Sequence, residues 1–526
     1  MTFLPKLILA MGITTLALSP HLNATAQTWT NGSTDFQWNT TSANWSSSPF
    51  VNADSATFGS TGAGTITVAS GITASGITIN AGGTGYVFTG NTLTNTGTTL
   101  ANENVEFDNA VAFGTTKVVA GKTITFTGGG SLTPDGIPPG SGGSGTLSFT
   151  AGAYTLGNII SQNGGGTVNM IFSGTSTFSS NTTQLAYNNT ANLTYSSSGT
   201  SAFVNQIRIG RAGTGTLTQT SGTITSSGEV QLDGNGGNGT LDVQGGAFNA
   251  GTQQITVQAG QTVGTGLVTV EGGTLTAGTI ALNSGVGGTS TVQLTSGTIN
   301  VNTISSANGG TKSITLSGGT IGANTTTGAW SSDMTLGGNV NIRAALAAGG
   351  SANIAISGVL GGTGGFTKTG AGTLTLSNNS NSYSGLTTVS AGTLTTGATG
   401  TFGTGNILVN AGSTLTLGNN ASIADTASVV FDSTLGTGAK INLNLSGGVE
   451  TIYALSSISG TTIGPGTYTI AQLNTAFGNL GVDTDVFAGI GSLTIIASAV
   501  PEPSTYAAIF SALTLGYTCF LRRRRS

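Results

Sequence analysis

The chain has 526 residues, of which 88 are glycine and only 6% are charged, and its formal net charge is −4 at pH 7. Eight basic and sixteen acidic side chains fall between Gln27 and Val500, so no basic stripe exists to neutralise phosphates, which argues against a nucleic-acid partner. Regularly spaced aliphatic and β-branched residues argue against a disordered low-complexity chain and predict strands.

The first 26 residues have the order of a secretory signal peptide. Lys6 precedes an apolar run, and the small residues Ala24 and Ala26 follow it. A charged, an apolar and a small-residue region in this order direct export and are removed from the mature protein. We expect signal peptidase to cut after Ala26. A buried N-terminal helix is the alternative, and the abruptly polar segment from Gln27 disfavours it.

Residues 27–60 are expected to form an N-terminal cap. They contain Trp29, Trp38 and Trp45, whose large side chains can shield the open edge of a first sheet coil. The repetitive body follows over residues 61–439. Inside it, the glycine- and proline-rich segment 128–145 is expected to protrude as a loop.

An internal repeat organises the body of the chain. Similar segments, spaced 24, 27, 24 and 22 residues apart, begin at Gly215, Gly239, Gly266, Ser290 and Lys312. A near-constant step of this size suits one coil of a β-helix. Within each unit a strand of period two meets a glycine corner and a second short strand, so Leu, Val and Ile point inward and Thr or Gln outward.

The predicted fold is therefore all-β. It is an elongated parallel β-helix of stacked coils, in which crossover chirality favours right-handed connections. A signal helix precedes this solenoid, and a transmembrane helix is expected at the C-terminus. Stacking buries the aliphatic ladder, saturates the backbone hydrogen bonds between coils and leaves only the two ends as open edges.

Few side chains carry reactive chemistry. The only histidine, His21, lies in the predicted signal peptide, and the only cysteine, Cys519, lies in a C-terminal apolar segment. A mature chain without them has no Ser-His-Asp triad, no Cys-His pair, no usual zinc site and no internal disulfide. We therefore expect no catalytic residues, no metal and no cofactor.

Carboxylate clusters leave an enzymatic alternative open, because a polysaccharide-cleaving β-helix can use two acids. The clusters are Glu103, Glu106 and Asp108, then Glu229, Asp233 and Asp242, and finally Asp483 with Asp485. Solvated strand edges or loops explain them more simply. Only the second cluster has basic neighbours, since Arg208 and Arg211 stand one coil before Asp233.

Three further patterns each have a structural explanation beside a binding one. The Gly-x-Gly-x-x-Gly match at 234–239 is interpreted as a turn, because a strand and not a helix follows it. The overlapping segment 236–242 comes within one residue of a calcium-binding nonapeptide, but it occurs once. Outward threonines at 64–68 and 71–79 would stack into hydroxyl arrays suited to sugars or ice, yet threonine is also a good strand residue.

Residues 365–394 contain Gly-Phe-Thr-Lys-Thr-Gly-Ala-Gly-Thr-Leu-Thr-Leu-Ser and, after a link, Tyr-Ser-Gly-Leu-Thr-Thr-Val-Ser-Ala-Gly-Thr-Leu. This stretch resembles the autotransporter-associated β-strand repeat. The family pattern has a second glycine where Leu386 stands and a shorter link before Tyr383. These two departures raise the question of a small local bulge and leave the assignment to the repeat unchanged. The segment 38–45 and parts of 440–498, the expected C-terminal cap, are similar to the opening and closing segments of such proteins.

The last residues, 499–526, combine three features in a fixed order. Prolines around a carboxylate present an extended peptide and prevent a helix from continuing. The apolar run 506–521 predicts a transmembrane helix, and the basic cluster after it favours the cytoplasmic side. The residues that carry these features outside the helix are Pro501, Glu502 and Pro503 and the cluster Arg522, Arg523, Arg524 and Arg525.

This trio resembles the PEP-CTERM sorting signal of Gram-negative bacteria that make exopolysaccharide. The resemblance implies that an exosortase recognises Pro501, Glu502 and Pro503 in the inner membrane and removes the anchor. The protein, transiently anchored there, then reaches the cell surface or the extracellular matrix. An ordinary single-pass tail anchor is the alternative.

The expected function is therefore that of an exported structural or adhesive protein without catalytic activity. Its partners during export are exosortase and signal peptidase, and exopolysaccharide or other matrix components are its expected partners outside. The alternative is a polysaccharide-binding or polysaccharide-cleaving β-helix. A cleaving enzyme needs two acids about 5 to 10 Å apart in one groove, whereas a matrix protein would show its acids scattered over different faces.

Overall fold

The computed structural model describes residues 24–497, except 48, 136–141, 158, 161–165, 182, 260–262, 284–286, 308, 435–437 and 480–485. Most of the predicted signal helix and the predicted transmembrane helix at 506–521 lie outside the described residues. Among the described residues, no helix is long and apolar enough to cross a membrane. The described chain is an all-β parallel solenoid, as predicted.

The first face of the solenoid is a sheet of 15 parallel strands, and each coil up to Leu360–Gly361 contributes one of them. Thr, Asn and Ser alternate with aliphatic and aromatic residues along these strands, which leaves one side of the sheet polar and the other apolar. Its strands are Gln37–Trp38, Thr65–Val68, Tyr86–Gly90, Val105–Phe107, Thr123–Phe126, Ser144–Phe149, Thr167–Phe172, Thr190–Tyr195, Thr214–Gln219, Asn238–Val243, Thr265–Val270, Thr289–Leu294, Thr311–Leu316, Met334–Leu336 and Leu360–Gly361.

The second and third faces are two columns of strands within one 35-stranded sheet. Strands that pair in both columns join them, and these are Val111–Val118, Gly130–Pro134, Thr274–Asn283 and Thr298–Ala307. The second face further contains Thr73–Ala74, Leu93–Asn95, Ala153–Leu156, Thr177–Ser180, Thr200–Phe203, Thr223–Ser226, Ala247–Asn249, Thr320–Gly322, Val340–Arg343, Phe366–Thr369, Thr387–Val389, Ile407–Val409, Ser428–Phe431 and Ala454–Ser457.

The third face completes each coil. Its remaining strands are Ala26–Thr28, Ser55–Phe58, Gly76–Ile79, Thr99–Ala101, Ile159–Ile160, Thr183–Leu185, Ile207–Ile209, Val230–Leu232, Gln254–Val257, Thr327–Trp330, Asn353–Ile356, Thr373–Leu376, Gly392–Thr395, Ser413–Leu417, Lys440–Ile452 and Phe487–Ile495. A further strand, Gly466–Thr469, pairs antiparallel with the last of these at the C-terminal end.

The repeat found in the sequence is the pairing register of the first face. The residues that begin the repeats lie opposite one another in successive strands, in the order Gly215, Gly239, Gly266, Ser290 and Lys312. The inward ladder beside them is fully or almost fully buried and consists of Leu217, Leu241, Val268, Val292 and Ile314. The predicted coil step and the inward direction of the aliphatic residues are therefore confirmed.

Aromatic rings fill the N-terminal half of the interior. Trp38 packs against Trp45 with ring centroids 5.1 Å apart, and both rings contact Phe50 and Phe58. A ladder of parallel rings continues from there, with centroids 4.3 to 5.6 Å apart, through Phe88, Phe107, Phe126, Phe149 and Phe172. Such offset contacts add about 0.5–1.5 kcal/mol per pair beyond burial.

The predicted loop over 128–145 is wrong near both of its ends, and its centre, 136–141, lies outside the described residues. Gly130–Pro134 is a strand of the sheet that joins the second and third faces, and residues 144 and 145 begin a strand of the first face. Gly130 has a φ of +127°, and a Cβ there would lie 1.9 Å from the carbonyl oxygen of Val111. Glycine is therefore needed here because it lets two backbones approach closely, not because the chain leaves the sheet.

The C-terminal end has a different cross-section. Among the described residues the first face has no strand after Leu360–Gly361, so the later coils contain two strands each. The helix Ile470–Asn479 packs its buried Phe477 against Phe431 and Phe487, with ring centroids 5.0 and 5.7 Å away. The helix thereby covers part of the apolar interior within the segment expected to form the C-terminal cap.

Candidate functional site

The predicted signal-cleavage residues lie at the first strand. Ala24 and Ala26 are exposed, and Ala26 begins the strand Ala26–Thr28. Between them, the backbone nitrogen of Thr25 donates to Oδ1 of Asp54 at 2.8 Å. The predicted sorting residues Pro501, Glu502 and Pro503 and the cluster Arg522, Arg523, Arg524 and Arg525 lie outside the described residues.

The first acidic cluster does not converge. Glu103 lies before the strand Val105–Phe107 and pairs with Lys122 at 2.5 Å, and this hydrogen bond lowers the pKa of Glu103. Glu106 points outward from the middle of the strand, and Asp108 follows it and accepts a hydrogen bond from the hydroxyl of Thr127. The three carboxylates therefore face different neighbours along one strand and form no common groove.

The second acidic cluster is divided between two faces. Asp242 lies on the outer side of the first face and accepts hydrogen bonds from Thr269 and Gln244, both at 2.7 Å. Glu229 directly precedes the strand Val230–Leu232 of the third face, and Asp233 directly follows the same strand. The third pair, Asp483 with Asp485, lies outside the described residues.

Polar side chains gather around Glu229 on the third face, and we call this set the polar patch. Strand pairing aligns its central residues, since Gln184 lies opposite Arg208 and Arg208 lies opposite Gln231. Each of the three stands between two buried neighbours on its strand and therefore points outward. All members of the polar patch are half-buried, and they are Gln184, Tyr187, Gln206, Arg208, Arg211, Glu229, Gln231 and Gln254.

Glu229 holds the amides of the polar patch in place. One of its oxygens accepts from Gln206 at 3.3 Å and from Gln231 at 2.9 Å. The other accepts from the hydroxyl of Thr256 at 2.5 Å and from Gln254 at 3.4 Å. Four neutral donors occupy this carboxylate, so the geometry suits a structural anchor for amide groups and not a paired acid and base.

The two arginines keep most of their hydrogen-bonding capacity. Arg208 donates from Nε to Gln231 at 2.9 Å, and Arg211 donates from Nη1 to Gln184 at 3.0 Å. Neither forms an ion pair with a carboxylate among the described residues. A guanidinium group has five N–H donors, so both groups present unused donors and an unneutralised charge.

Tyr187 adds an aromatic ring to the polar patch. The guanidinium carbon of Arg211 lies 4.7 Å from the centroid of this ring, a cation–π contact. Between residues 61 and 439, every other described aromatic side chain is buried. Tyr187 is therefore the one described ring of the solenoid body that is available to a ligand.

Asp233 occupies a buried corner beside the polar patch. Its φ is +57°, its Oδ2 accepts from Gln258 at 3.4 Å, and its Oδ1 has no hydrogen-bond partner. Burial raises the pKa of Asp233. The described residues contain no group of three metal-ligating side chains, at this near-calcium sequence or elsewhere. The turn prediction for 234–239 is confirmed, because the strand Asn238–Val243 begins within it.

The threonine rows do not form one continuous hydroxyl array. Thr65 and Thr67 lie on the first face, whereas Thr73 and Thr78 lie on the second and third faces. The outward column that contains Thr65 also includes Glu106, Ile171 and Asp242. These interruptions favour the interpretation of threonine as a strand residue.

Sequence reasoning missed two charged residues that point inward. Lys368 is fully buried, and its Nζ donates to the carbonyl oxygens of Gly370, Gly372 and Ala391 at 2.6, 2.5 and 2.6 Å. Burial lowers its pKa to about 8, so the lysine remains mostly charged at neutral pH. Period-two spacing from the buried Phe366 is the signal that places Lys368 on the inner side.

Glu450 is the second buried charge. Its oxygens accept from the backbone nitrogens of Ser422 at 3.1 Å and Ile423 at 2.7 Å. Burial, opposed by these bonds and assisted by the charge of Asp425, raises its pKa to about 7. Period-two spacing from the buried Ile452 again predicts the inward direction.

Comparison with known proteins identifies one segment. Residues 366–395 match the family described as the passenger-associated-transport-repeat. The match covers the strands of two successive coils, Phe366–Thr369 with Thr373–Leu376 and Thr387–Val389 with Gly392–Thr395. No curated protein matches the chain, and no solved structure does.

The matched segment coincides with the stretch predicted to be an autotransporter-associated β-strand repeat, so that prediction is confirmed. Leu386, where the sequence departs from the family pattern, lies outside the strands. Its side chain is 48% exposed, and its backbone carbonyl oxygen accepts from the backbone nitrogen of Phe366 at 3.1 Å. A passenger-type repeat within a parallel solenoid indicates an exported passenger protein, at the cell surface or secreted.

Proposed function

We propose that this chain is an exported structural and adhesive protein of the cell surface or extracellular matrix and that it has no catalytic activity of its own. The observation that carries the proposal is a passenger-type repeat built into a long parallel solenoid. The 15 strands of the first face alone, at about 4.8 Å per coil, extend over roughly 70 Å. A rod of this length can hold a binding surface away from the cell.

The distribution of acids favours adhesion over cleavage. Glycoside hydrolysis needs two carboxyl groups facing one bond. Asp242 lies on a different face from Glu229, and Glu229 is occupied by four neutral donors. A polysaccharide-binding protein agrees with this arrangement better than a polysaccharide-cleaving one.

The export route follows from the two ends of the sequence. A signal peptide over 1–26 directs the chain across the inner membrane, and signal peptidase cuts after Ala26. The PEP-CTERM signal over 499–526 then holds the chain transiently in that membrane through the helix 506–521. Exosortase recognises Pro501-Glu502-Pro503 and releases the body to the surface of a Gram-negative bacterium.

The sorting step is tested by expressing the full chain in an exosortase-containing Gram-negative host. We expect the body at the cell surface or in the medium, with a C-terminus, read by mass spectrometry, that lacks the arginine cluster. The double variant Pro501→Ala/Pro503→Ala should stay in the inner membrane with its tail intact, while the neighbouring Ser504→Ala behaves like the unchanged chain. An unchanged chain that keeps its tail in the inner membrane would support the tail-anchor alternative.

The absence of catalysis is tested separately. The purified chain is incubated with the exopolysaccharide of the host, and the polymer's size is followed by size-exclusion chromatography. We expect binding without shortening. Shortening that disappears in Glu229→Gln or Asp233→Asn would make the protein a polysaccharide-cleaving enzyme.

A further inference from the structure

We propose that the polar patch binds an acidic polysaccharide, a polymer of hydroxylated sugars that carry carboxylate groups. The inference deepens the proposed function and rests on it, because it assigns the ligand class and the surface of an adhesive protein. It depends on the arrangement of eight half-buried side chains over neighbouring coils of the third face, Gln184, Tyr187, Gln206, Arg208, Arg211, Glu229, Gln231 and Gln254.

Charge is the first argument. The solenoid is acidic as a whole, but the polar patch contains two guanidinium groups and a single carboxylate. Arg208 and Arg211 form no ion pair with the described carboxylates, and each donates one side-chain hydrogen bond within the patch. The planar fork of arginine binds a carboxylate through two parallel hydrogen bonds. The patch is thus a locally cationic surface on an anionic rod.

The four glutamines provide the second argument. An amide group both donates and accepts hydrogen bonds, which suits the hydroxyl groups of sugars. Contacts with Glu229 and Arg208 already fix the orientation of Gln206, Gln231 and Gln254. Because the free protein holds these side chains in place, a ligand orders few additional rotamers when it binds.

Tyr187 provides the third argument. Its half-buried ring contacts the guanidinium group of Arg211, which in turn donates to the amide oxygen of Gln184. An aromatic face bordered by donors and acceptors suits a ligand with both apolar C–H surfaces and polar groups, as a sugar ring has. A purely ionic ligand would not need this ring.

The layout favours a polymer over a small molecule. The members occupy or border the strands Thr183–Leu185, Ile207–Ile209, Val230–Leu232 and Gln254–Val257, which are stacked in consecutive coils. At about 4.8 Å per coil, the patch extends roughly 15 Å along the rod. A flat strip of this length contacts several units of a chain that lies along it, and repeated units raise the avidity.

The density of charge separates this ligand from other polyanions. A nucleic acid carries a phosphate at every nucleotide and is held by many cations, whereas the patch has two arginines among four amides. An acidic peptide satisfies the arginines but offers neither the hydroxyl groups nor the sugar-like C–H surface. A polyuronate satisfies all three features.

The experiment uses the full chain purified in mild detergent and affinity electrophoresis in gels that contain one polymer each. Polygalacturonate is the acidic sugar polymer, dextran is the neutral one, and polyglutamate is an acidic polymer without hydroxyl groups. We expect polygalacturonate to retard the chain strongly and the other two to retard it little. Arg211→Gln and Tyr187→Ala should each weaken polygalacturonate binding about tenfold, the size expected for a lost charge-assisted contact or aromatic anchor.

Lys122→Gln is the matched control, because it removes one positive charge from a distant coil, and it should change binding less than twofold. Arg211→Lys keeps the charge but loses the planar fork, so it should also weaken binding. Unfolding curves of all variants verify that they are folded. Equal losses in Lys122→Gln and Arg211→Gln, retardation by polyglutamate or dextran equal to that by polygalacturonate, or no retardation by polygalacturonate would each overturn the inference. Surface delivery in the sorting experiment does not depend on these outcomes. The proposed function can therefore hold even if the polar patch does not bind an acidic polysaccharide.

Discussion

The guanidinium group of Arg343 donates from Nη2 to the side-chain oxygen of Asn300 at 2.5 Å, although the two residues stand two coils apart. Gly322 occupies the position between them, and a Cβ there would lie 3.1 Å from Nε of Arg343. The arginine can lie across the intervening coil because that coil presents no side chain. The contact ties together coils that backbone pairing does not connect directly.

Replacing Arg343 should loosen this part of the solenoid. We expect Arg343→Met to lower the free energy of unfolding by about 2 kcal/mol, because a half-buried, charge-assisted hydrogen bond is lost. Denaturant unfolding followed by circular dichroism measures the change. Lys122→Met breaks an ion pair nearer the surface and should cost less than about 1 kcal/mol. An equal effect of the two substitutions would contradict a special role for Arg343.

The buried lysine of the matched repeat should matter more. Lys368→Met removes the ammonium donor from the carbonyl oxygens of Gly370, Gly372 and Ala391. Gly372 keeps the backbone nitrogen of Thr393 as a donor, whereas each buried group left unsatisfied costs about 1–3 kcal/mol. We expect a loss of at least about 3 kcal/mol in the same unfolding measurement. Lys117→Met, which removes an ion pair with Asp135, is the control and should have a small effect. A tolerated Lys368→Met would show that water or rearranged backbone replaces the ammonium group.

Glu450 should make the C-terminal end sensitive to pH. Its pKa is raised from 4.5 to about 7, so between these pH values the folded state binds more protons than the unfolded state. The free energy of unfolding should therefore fall as the pH rises from about 4.5 to 7, by up to roughly 3 kcal/mol. Thermal unfolding at a series of pH values measures the slope.

Glu450→Gln is expected to remove this slope, because the amide does not titrate and can still accept a backbone hydrogen bond. Asp432→Asn changes a carboxylate whose side-chain hydrogen bonds come from nearby exposed groups. This substitution should leave the pH dependence of the free energy of unfolding in place. Asp425 is the charged neighbour that raises the pKa of Glu450, so Asp425→Asn should make the slope shallower. A slope that persists in Glu450→Gln would assign the pH dependence to other groups.

Two adjacent residues of one strand offer a test of the ring ladder. Phe172 stacks on Phe149 with centroids 4.3 Å apart and is fully buried, whereas the neighbouring Ile171 is 36% exposed on the opposite side of the strand. Phe172→Ala should cost about 3–5 kcal/mol, because it leaves a cavity in the core. Ile171→Ala should cost less than about 1 kcal/mol. Similar costs for both would mean that the strand's inner and outer sides are assigned wrongly.

The regular part of the fold could be predicted because every coil repeats the same local rule. A period-two strand and a glycine corner recur at Gly215, Gly239 and Gly266. In the structure these three residues lie opposite one another in successive strands of the first face. The loop predicted over 128–145 was wrong at residues 130–134 for a related reason. Glycine there serves a close backbone approach at Gly130, and composition alone does not separate that use from a turn.

The polar patch was harder to predict from the sequence. Its contacts join residues about 25 positions apart, such as Gln254 with Glu229, so they depend on the length of each coil and the rotamers of long side chains. The acidic cluster around Asp233 lies beside the polar patch, but Asp242 was grouped with Glu229 although a corner separates their faces. Lys368 and Glu450 remained unnoticed, because a charged residue at an inward position is acceptable only where a neighbouring coil offers backbone partners.

The pairing register also makes the length of the rod adjustable in whole steps. Gly266, Ser290 and Lys312 occupy equivalent positions in successive coils, so deleting residues 290–311 would bring Lys312 opposite Gly266 and leave the inward ladder of Val268 and Ile314 in line. Backbone pairing joins each coil only to its neighbours, so such a deletion costs the folded state one stacking interface and the side-chain contact of Arg343 with Asn300. Duplication of a coil would lengthen the rod by the same rule. The reach of this protein can therefore change in increments of one coil without a new fold.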